Sequence, residues 1–190
     1  RLKGYLEDFS FLIEGLVALH EATFDGEWVQ QAVALGHQMV SLFWDAPSGQ
    51  FYDTGTDHEE LVLRPRDVQD NAIPSGSAMA ASTLLKLAVV TGDGDLDRRA
   101  VEALRGVREL MERFPTGAGQ WLCALDFYLS SPKEIAIVGP REDPATQELL
   151  DTVFGRFLPN KVVVGAEAGQ SSSDDADPSY SRLPLLQERG

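Results

Sequence analysis

Two aspartates, Asp8 and Asp70, are the carboxylates in this sequence best placed to act on a polar small molecule. A carboxylate binds hydroxyl groups through its oxygens and can exchange a proton with a substrate. Both are therefore candidate catalytic residues with an acid–base role. Aromatic rings stack on sugar rings, and arginine holds anionic groups. The substrate-binding candidates of these and similar types are Tyr5, Trp44, Arg64, Arg66 and Asn71.

Two kinds of sugar chemistry are open to such a site. Glycoside hydrolysis needs two carboxylates about 5–10 Å apart across a pocket. Epimerisation needs bases on both sides of a carbon atom, commonly histidines, and no histidine of this sequence is well placed for that role. The same residue types also suit a solvated segment held by Asp–Arg pairs and Asx turns. The catalytic and the structural interpretation both stay open.

No metal site and no cofactor are expected. His20, His37 and His58 lack the spacing of metal ligands. The single cysteine, Cys123, excludes an internal disulfide and a multi-cysteine zinc site. Because the absence of disulfides fits a reducing compartment, we expect a cytoplasmic protein.

The charge of the chain excludes some partners. The 190 residues include 16 Lys and Arg against 30 Asp and Glu, which gives a net charge of −14. Nucleic-acid binding depends on Lys and Arg at the phosphates, so no nucleic-acid partner is expected. The same charge disfavours docking on anionic lipid. No run of about 18 apolar residues is present, so no membrane span is expected.

Apolar residues recur at helical spacing in five segments. Asp25-Gly26 supplies a capping carboxylate in a short turn between the first two segments. Pro74-Ser75 supplies a first-turn proline and a cap for the third. The sequence therefore predicts a mainly α protein built from antiparallel helical hairpins. The five predicted helices span residues 4–22, 27–44, 74–90, 96–114 and 115–130.

The two hairpins are copies of one unit. Matching residues recur at one constant spacing through both turns and their flanks, which indicates an internal repeat. Repeated hairpins form stacked helix pairs, either an open solenoid or a closed α/α toroid. The matching residues are Leu16, Leu19, Thr23, Asp25, Gly26, Ala32 and Val33 in the first copy, and Leu84, Leu87, Thr91, Asp93, Gly94, Ala100 and Val101 in the second.

The repeat places the candidate site at one end of the molecule. The two short turns lie together at one end of the molecule. The starts of the first and third helices and the long link of residues 45–73 therefore lie at the opposite end. A link of this length is functional or disordered, and its apolar residues favour an ordered one with a small β-hairpin. The polar and aromatic residues gathered there are Tyr5, Glu7, Asp8, Trp44, Asp45, Asp53, Arg64, Arg66, Asp67, Asp70, Asn71, Ser75 and Ser77.

A small β-α-β unit follows the helices. Ile135–Val138 is a continuous apolar run, typical of a strand buried on both faces. Asp143-Pro144 begins a helix that ends near Phe154, and Lys161–Val164 is a second strand. A crossover of this kind implies parallel strands. The predicted divisions are residues 1–130, the helical-hairpin part; 131–167, the β-α-β unit packed on it; and 168–190, a loop and C-terminal tail.

Five ordered motifs stand out along the chain: Leu6–Phe9 with Phe11–Leu16, Asp70–Ser77, Pro132–Gly139, Leu158–Lys161 and Leu185–Arg189. Together they resemble the C-terminal part of the spermatogenesis-associated, thioredoxin-domain-containing proteins. The resemblance implies an (α/α)6 region similar to six-hairpin glycosidases and N-acylglucosamine 2-epimerases. Members also carry an N-terminal thioredoxin-like domain. That part is absent from this sequence, so the family's redox label does not transfer to it.

The resemblance implies a carbohydrate-binding or carbohydrate-processing (α/α)-barrel domain. Two hairpins and a fifth helix cannot close six hairpins, so we expect part of a larger barrel, completed by further helices or by a second copy in a homo-oligomer. The expected ligand is a small sugar or sugar derivative at the rim with Asp8 and Asp70. An enzyme of this kind would be glycosidase-like or sugar epimerase-like. The alternative is a non-catalytic helical-repeat interaction domain of a thioredoxin-like-domain protein.

Overall fold

The computed structural model describes residues 3–59 and 62–166, and the chain is mainly helical within these ranges. A two-stranded parallel sheet lies near their C-terminal end. Both features confirm the predicted fold class. The helices and strands of the described ranges are α1 (Leu6–Thr23), α2 (Gly26–Phe43), β1 (Trp44–Asp45), β2 (Gln50–Phe51), α3 (Gly76–Thr91), α4 (Gly94–Gly106), α5 (Arg108–Arg113), a 3₁₀ turn (Pro115–Gly117), α6 (Gly119–Leu129), β3 (Lys133–Val138), α7 (Pro144–Phe154) and β4 (Lys161–Ala166).

The two turns of the repeat are built from the same hydrogen bonds. The Thr23 hydroxyl donates to the carbonyl four residues earlier at 2.7 Å, and the Asp25 carboxylate accepts the N–H two residues later at 2.9 Å. Thr91 and Asp93 make the same two bonds in the second turn, at 2.7 Å and 2.8 Å. Each aspartate thus caps the helix that follows it. The two hairpins, α1–α2 and α3–α4, are confirmed as one repeated unit.

Helix α3 is the centre of the helical assembly. It packs against α1 and α6, which form a row of three helices with it, while α2 packs on α1 and α4 packs on α3. Most of its residues are buried, and many of them are small, as in the Ala80-Ala81-Ser82 run. Small side chains let neighbouring helices approach closely. Gly36 of α2 shows the same tight packing, since a Cβ there would lie 2.6 Å from Leu87 of α3.

The predicted fourth helix, residues 96–114, is wrong as a single element because it is broken after Gly106. The Gln50 side chain of β2 inserts at this point, and its amide donates to the Ala103 carbonyl at 3.1 Å. The N–H of Val107 turns to Arg105 instead. A side chain that replaces a ladder hydrogen bond breaks a helix. A Cβ on Gly106 would meet the Gln50 amide, so glycine leaves room for the insertion.

The β-α-β segment has the predicted parallel strands. Lys133 lies opposite Lys161, and the pairing continues in register to the ends of both strands. Burial on both faces was predicted for β3 and is wrong there, since Val138 is 61% exposed. The buried strand is β4, which contacts α1 and α3 and carries β3 on its outer edge. Glu21 of α1 accepts the Val163 N–H of β4 at 3.1 Å and ties this segment to the helices.

Some predictions fall outside the described ranges. They are the tail of residues 168–190, the motif Leu185–Arg189 and residues 60–61 of the link. The division of the chain into residues 1–130 and 131–167 stays a prediction. Among the described residues, no helix combines the length and the hydropathy that crossing a membrane requires.

Candidate functional site

The link of residues 45–73 lies across helix starts. A β-hairpin was predicted from the apolar residues of the link, and the structure has a shorter one at its start, where β1 and β2 pair antiparallel. Val62 and Leu63 lie outside it and are exposed. The Asp53 carbonyl accepts the Leu6 N–H at the start of α1 at 2.9 Å. The Val68 carbonyl accepts the indole N–H of the fully buried Trp121 of α6 at 2.8 Å. The link is therefore hydrogen-bonded to the helical assembly at the end that carries the candidate site residues.

Both predicted catalytic carboxylates accept hydrogen bonds from helix starts. Asp70 accepts the Ser75 N–H through Oδ1 at 2.8 Å and the Gln120 N–H through Oδ2 at 2.7 Å. Its two oxygens thus join the starts of α3 and α6. Asp8 is exposed and accepts the Tyr5 N–H at 2.8 Å, as the acidic member of a capping box. Their catalytic role stays a prediction, and their present contacts are structural.

Two predicted arginines of the link enclose one aromatic ring. The Cζ atoms of Arg64 and Arg66 lie 4.0 Å and 3.8 Å from the centroid of the Tyr52 ring. At these distances only one guanidinium fits over each face of the ring. Residues two apart in an extended chain are about 6.6 Å apart, which is enough to hold a ring between them. Each stack is a cation–π contact that fixes a charged group in place.

Asp45 anchors one of the two arginines. Its Oδ2 atom lies 2.5 Å from Arg66 Nη2 and accepts the Ser48 hydroxyl at 2.6 Å. The hydrogen bond from Ser48, followed by Arg66 and the nearby charge of Arg64, holds the pKa of Asp45 below its ordinary value, against an opposing effect of burial. Asp45 is therefore a stable anion at neutral pH and keeps Arg66 oriented.

Arg64 is held differently, by backbone carbonyls. Its Nη2 donates to the carbonyls of Leu42 and Thr54. Within residues 3–59 and 62–166 no carboxylate lies at ion-pair distance from it. The stack thus combines two guanidinium groups with one carboxylate partner, Asp45. In a chain with a net charge of −14 this is a local excess of positive charge.

Acidic groups of the link and of α1 interact with one another. Burial raises the pKa of Asp53, and the charges of Asp67 and Glu7 act in the same direction. The Asp67 N–H donates to Asp53 at 2.9 Å and opposes this rise. Asp53 is therefore an acidic group that burial and neighbouring carboxylates make harder to ionise.

A cleft of about 440 Å³ opens beside the stack, and we call it the Arg66 cleft. One wall comes from the link and the other from the break between α4 and α5. Apolar walls with a few polar groups are typical of sites for small molecules. The lining residues are Gln50, Arg66, Val68, Gly106, Val107, Glu109, Leu110, Arg113 and Phe114.

The structure brings only some of the predicted substrate-binding residues together. Arg64 and Arg66 share the Tyr52 ring, but Arg66 is the one that lines the cleft. Trp44 packs edge-on against Phe51 at 4.8 Å. The remaining two lie apart from the lining residues: Tyr5, which faces the His58 ring at 5.2 Å, and Asn71, which is exposed.

Sequence reasoning missed Tyr52, Gln50 and Arg113 as site residues. A signal existed for Tyr52, since two arginines spaced two residues apart in an extended segment can enclose a ring. Gln50 and Arg113 gave no such signal, because the helix break that brings them to the cleft depends on a contact between distant parts of the chain.

Comparison with known proteins finds relatives over nearly the whole chain. It is similar to spermatogenesis-associated protein 20 of Rattus norvegicus, with 35% identity over 98% of the chain, and of Homo sapiens, with 34% identity over 89%. An uncharacterized protein of Caenorhabditis elegans is 24% identical over 96% of the chain. The chain spans about a quarter of the length of these relatives, 24%, 22% and 25% respectively. No protein-family model matches the chain.

Proposed function

We propose that this chain binds a small sugar derivative with an anionic group, such as a sugar acid or sugar phosphate, in the Arg66 cleft. The observation that carries the proposal is the stack around Tyr52, which fixes a guanidinium at a cleft of about 440 Å³. Guanidinium groups bind carboxylate and phosphate through paired N–H donors. Because the side chain of Arg66 is already ordered, binding costs less conformational entropy.

The other lining residues supply the contacts that a sugar ring needs. Arg113 provides a second cation, paired with Glu109 at 3.0 Å and largely exposed. Phe114 is 46% exposed and offers a ring for the apolar face of a sugar. The Gln50 carboxamide can accept from a hydroxyl through its oxygen, while its N–H donates to Ala103.

Catalysis is not required by this proposal. Asp70 and Asp8 hold helix starts, and we assign them the role of fixing the rim of the site. A carbohydrate-processing reaction, glycosidase-like or epimerase-like, would then belong to the longer protein, with groups supplied by other parts of it. The resemblance to (α/α)6 sugar enzymes supports the ligand class by analogy alone.

The test compares a charged and a neutral sugar on the 190-residue chain. We expect D-glucuronate to bind more tightly than D-glucose by isothermal titration calorimetry, and raised salt to weaken the preference. Arg66→Gln removes a charged hydrogen-bond donor, so we expect binding of glucuronate to weaken about tenfold or more.

Arg98→Gln is the matched control. Arg98 is an exposed arginine that pairs with Asp95 at 2.7 Å, and it is not among the residues of the cleft. This variant should bind like the parent chain. Equal affinity for the two sugars, or equal loss in the two variants, would contradict the proposal.

A second candidate function is the helical-repeat interaction domain. Apolar residues are exposed on α1 at Phe11, Leu12 and Leu19, with exposures of 38%, 53% and 44%. At the other end of the helix row, an apolar groove of about 430 Å³ lies between α4, α5 and α6. Contiguous apolar faces mark interaction sites. They suit further hairpins of a six-hairpin barrel in a cytoplasmic protein, or a second copy of the chain.

Light scattering after gel filtration tests this second candidate. If the two faces join copies of this chain, the mass should rise with concentration. Leu12→Glu and Leu125→Glu, one on each face, should each restore the monomer. A monomer at all concentrations would exclude the homo-oligomer and leave further helices of a longer chain as the partner.

A further inference from the structure

Polar side chains pair between neighbouring helices on one face of the row α1, α3 and α6. Lys86 of α3 lies 2.5 Å from Glu14 of α1. The Gln120 amide of α6 donates to the Ser82 hydroxyl of α3 at 2.8 Å. Polar pairs of this kind fix the positions of hydrogen-bonding groups between adjacent helices.

The β-α-β segment closes one side of this face. The Asn160 amide, in the turn before β4, donates to Asp126 of α6 at 2.7 Å. The space between this turn, α3 and α6 is a pocket of about 230 Å³. This volume is below the range of drug-sized sites, so the pocket suits a smaller molecule. Its polar lining residues are Ser82, Lys86, Gln120, Cys123, Asp126 and Asn160.

The charges of the lining determine the class of ligand. Lys86 places an ammonium group and Asp126 a carboxylate at the same pocket. A ligand with a net charge of either sign would meet a like charge. Hydroxyl groups both donate and accept hydrogen bonds, and the carboxamides of Gln120 and Asn160 offer both kinds of partner. The lining also includes the apolar residues Ala124, Phe127 and Pro159, so an uncharged molecule with both hydroxyl groups and an apolar face matches it.

We propose that the pocket between α3, α6 and the Asn160 turn is a second binding site, for a small uncharged polyol. It is separate from the Arg66 cleft in lining and in chemistry, and it does not depend on the function proposed for that cleft. The Lys86 ammonium donates to ligand hydroxyls, and the Asp126 carboxylate and the Gln120 carbonyl oxygen accept from them.

Cys123 provides the readout, because it is the one cysteine of the sequence and lines the pocket with an exposed side chain. The rate of its alkylation by iodoacetamide is measured by mass spectrometry on the 190-residue chain, with and without myo-inositol. With inositol at about ten times its Kd, alkylation should slow about tenfold, because the unliganded fraction falls by that factor.

Asn160→Ala removes a polar group from the turn, and Gln31→Ala is the matched carboxamide control. Gln31 donates to Glu27 on the exposed face of α2. Inositol should protect Cys123 in the Gln31→Ala chain and lose most of its effect in the Asn160→Ala chain. If circular dichroism shows that Asn160→Ala disturbs the fold, Ser82→Ala takes its place with the same expectation.

Three results overturn the proposal. They are alkylation that inositol does not slow, protection that survives in the folded pocket variant, and equal protection by glycine, which would make the site one for zwitterions. Glucuronate binding at the Arg66 cleft is read by calorimetry and is expected to be the same in the Asn160→Ala chain. Failure at one site is thereby distinguished from failure at the other.

Discussion

The two hairpins share a turn and differ in what surrounds it. Phe24 and Gly92 occupy the same place in the repeat, and both have left-handed backbones, with φ of 59° and 69°. Glycine adopts this conformation without strain, whereas phenylalanine does not. The strain at Phe24 is offset by packing, because its ring forms a small core with Ile137, Leu150 and Val163 of the β-α-β segment. The second hairpin has no such neighbour among the described residues.

The comparison shows that the two turns share their hydrogen bonds, while the side chains around them pack against different neighbours. His20 is buried in the first hairpin, and Ala88 holds its place in the second. Helix α3 is surrounded by helices, whereas α1 leaves Leu12 and Leu19 exposed. Differences of this kind lead to tests on matched positions of the two copies.

The largest losses of stability are expected at the matched core leucines. Leu84 is 0% exposed at the centre of the assembly and Leu16 is 6% exposed in α1. Leu84→Ala should destabilise the fold by about 4 kcal/mol and Leu16→Ala by about 3 kcal/mol, because the site enclosed by helices collapses less around the lost volume. Urea unfolding followed by circular dichroism measures both. A larger loss for Leu16→Ala would contradict the central role of α3.

The next effect concerns the strained position. Phe24→Gly loses a buried ring and relieves a left-handed backbone, so we expect a net loss of about 2–3 kcal/mol. Hydrogen exchange at the β4 amides should accelerate as well. Gly92→Ala introduces strain without touching a second core and should cost about 1 kcal/mol. If β4 stays fully protected in Phe24→Gly, the ring does not hold the β-α-β segment.

The two caps should behave alike. Asp25→Ala and Asp93→Ala each remove a hydrogen bond to the start of a helix, at 2.9 Å and 2.8 Å, and should each cost about 1 kcal/mol. Thermal unfolding of both variants is the measurement. Asp97→Ala, in the first turn of α4 but not at its cap, is the control and should cost less. Unequal losses at the two caps would show that the two turns share their hydrogen bonds but not the stability that those bonds contribute.

The smallest effect is the pH dependence that His20 gives to the first hairpin. Burial lowers the pKa of His20 below its ordinary value of 6.5, against the opposing contact with Asp25. The unfolded chain therefore binds a proton at higher pH than the folded chain. Stability from neutral His20 is present above pH 6.5 and is lost as the pH falls through that value towards the lowered pKa.

His20→Gln should remove this part of the acid sensitivity, measured by urea unfolding between pH 7.5 and 5. His37→Gln is the control, because His37 is 55% exposed and lies 3.6 Å from Asp93 in the second turn. An unchanged pH slope in the His20 variant would show that burial of this histidine does not govern acid stability.

The local parts of the fold could be predicted from sequence because their causes are local. The Asp25 and Asp93 caps, the Ser75 start of α3 and the Asp143 start of α7 each follow from a residue and its near neighbours. The parallel pairing of β3 and β4 follows from the length of the crossover. The depth at which each strand is buried does not, because it depends on which strand meets α1.

The candidate site was less predictable because its geometry depends on contacts between distant parts of the chain. Arg64 and Arg66 could be named from their type, but their stacking on Tyr52 depends on the path of the link. Gln50 breaks a helix that lies about fifty residues further along the chain. The apolar periodicity of that helix continues through the break and gives no sign of it. Asp70 is a carboxylate of the right kind for chemistry, and its position at two helix starts emerges only from the fold.

Asp70 has a consequence for motion. One carboxylate receives the amides of Ser75 and Gln120, which are 45 residues apart in sequence and begin neighbouring helices. An opening that releases one of these bonds lets the carboxylate turn and weakens the other. The two amides should therefore exchange their hydrogens as a correlated pair, so that fraying at the start of α3 is felt at the start of α6.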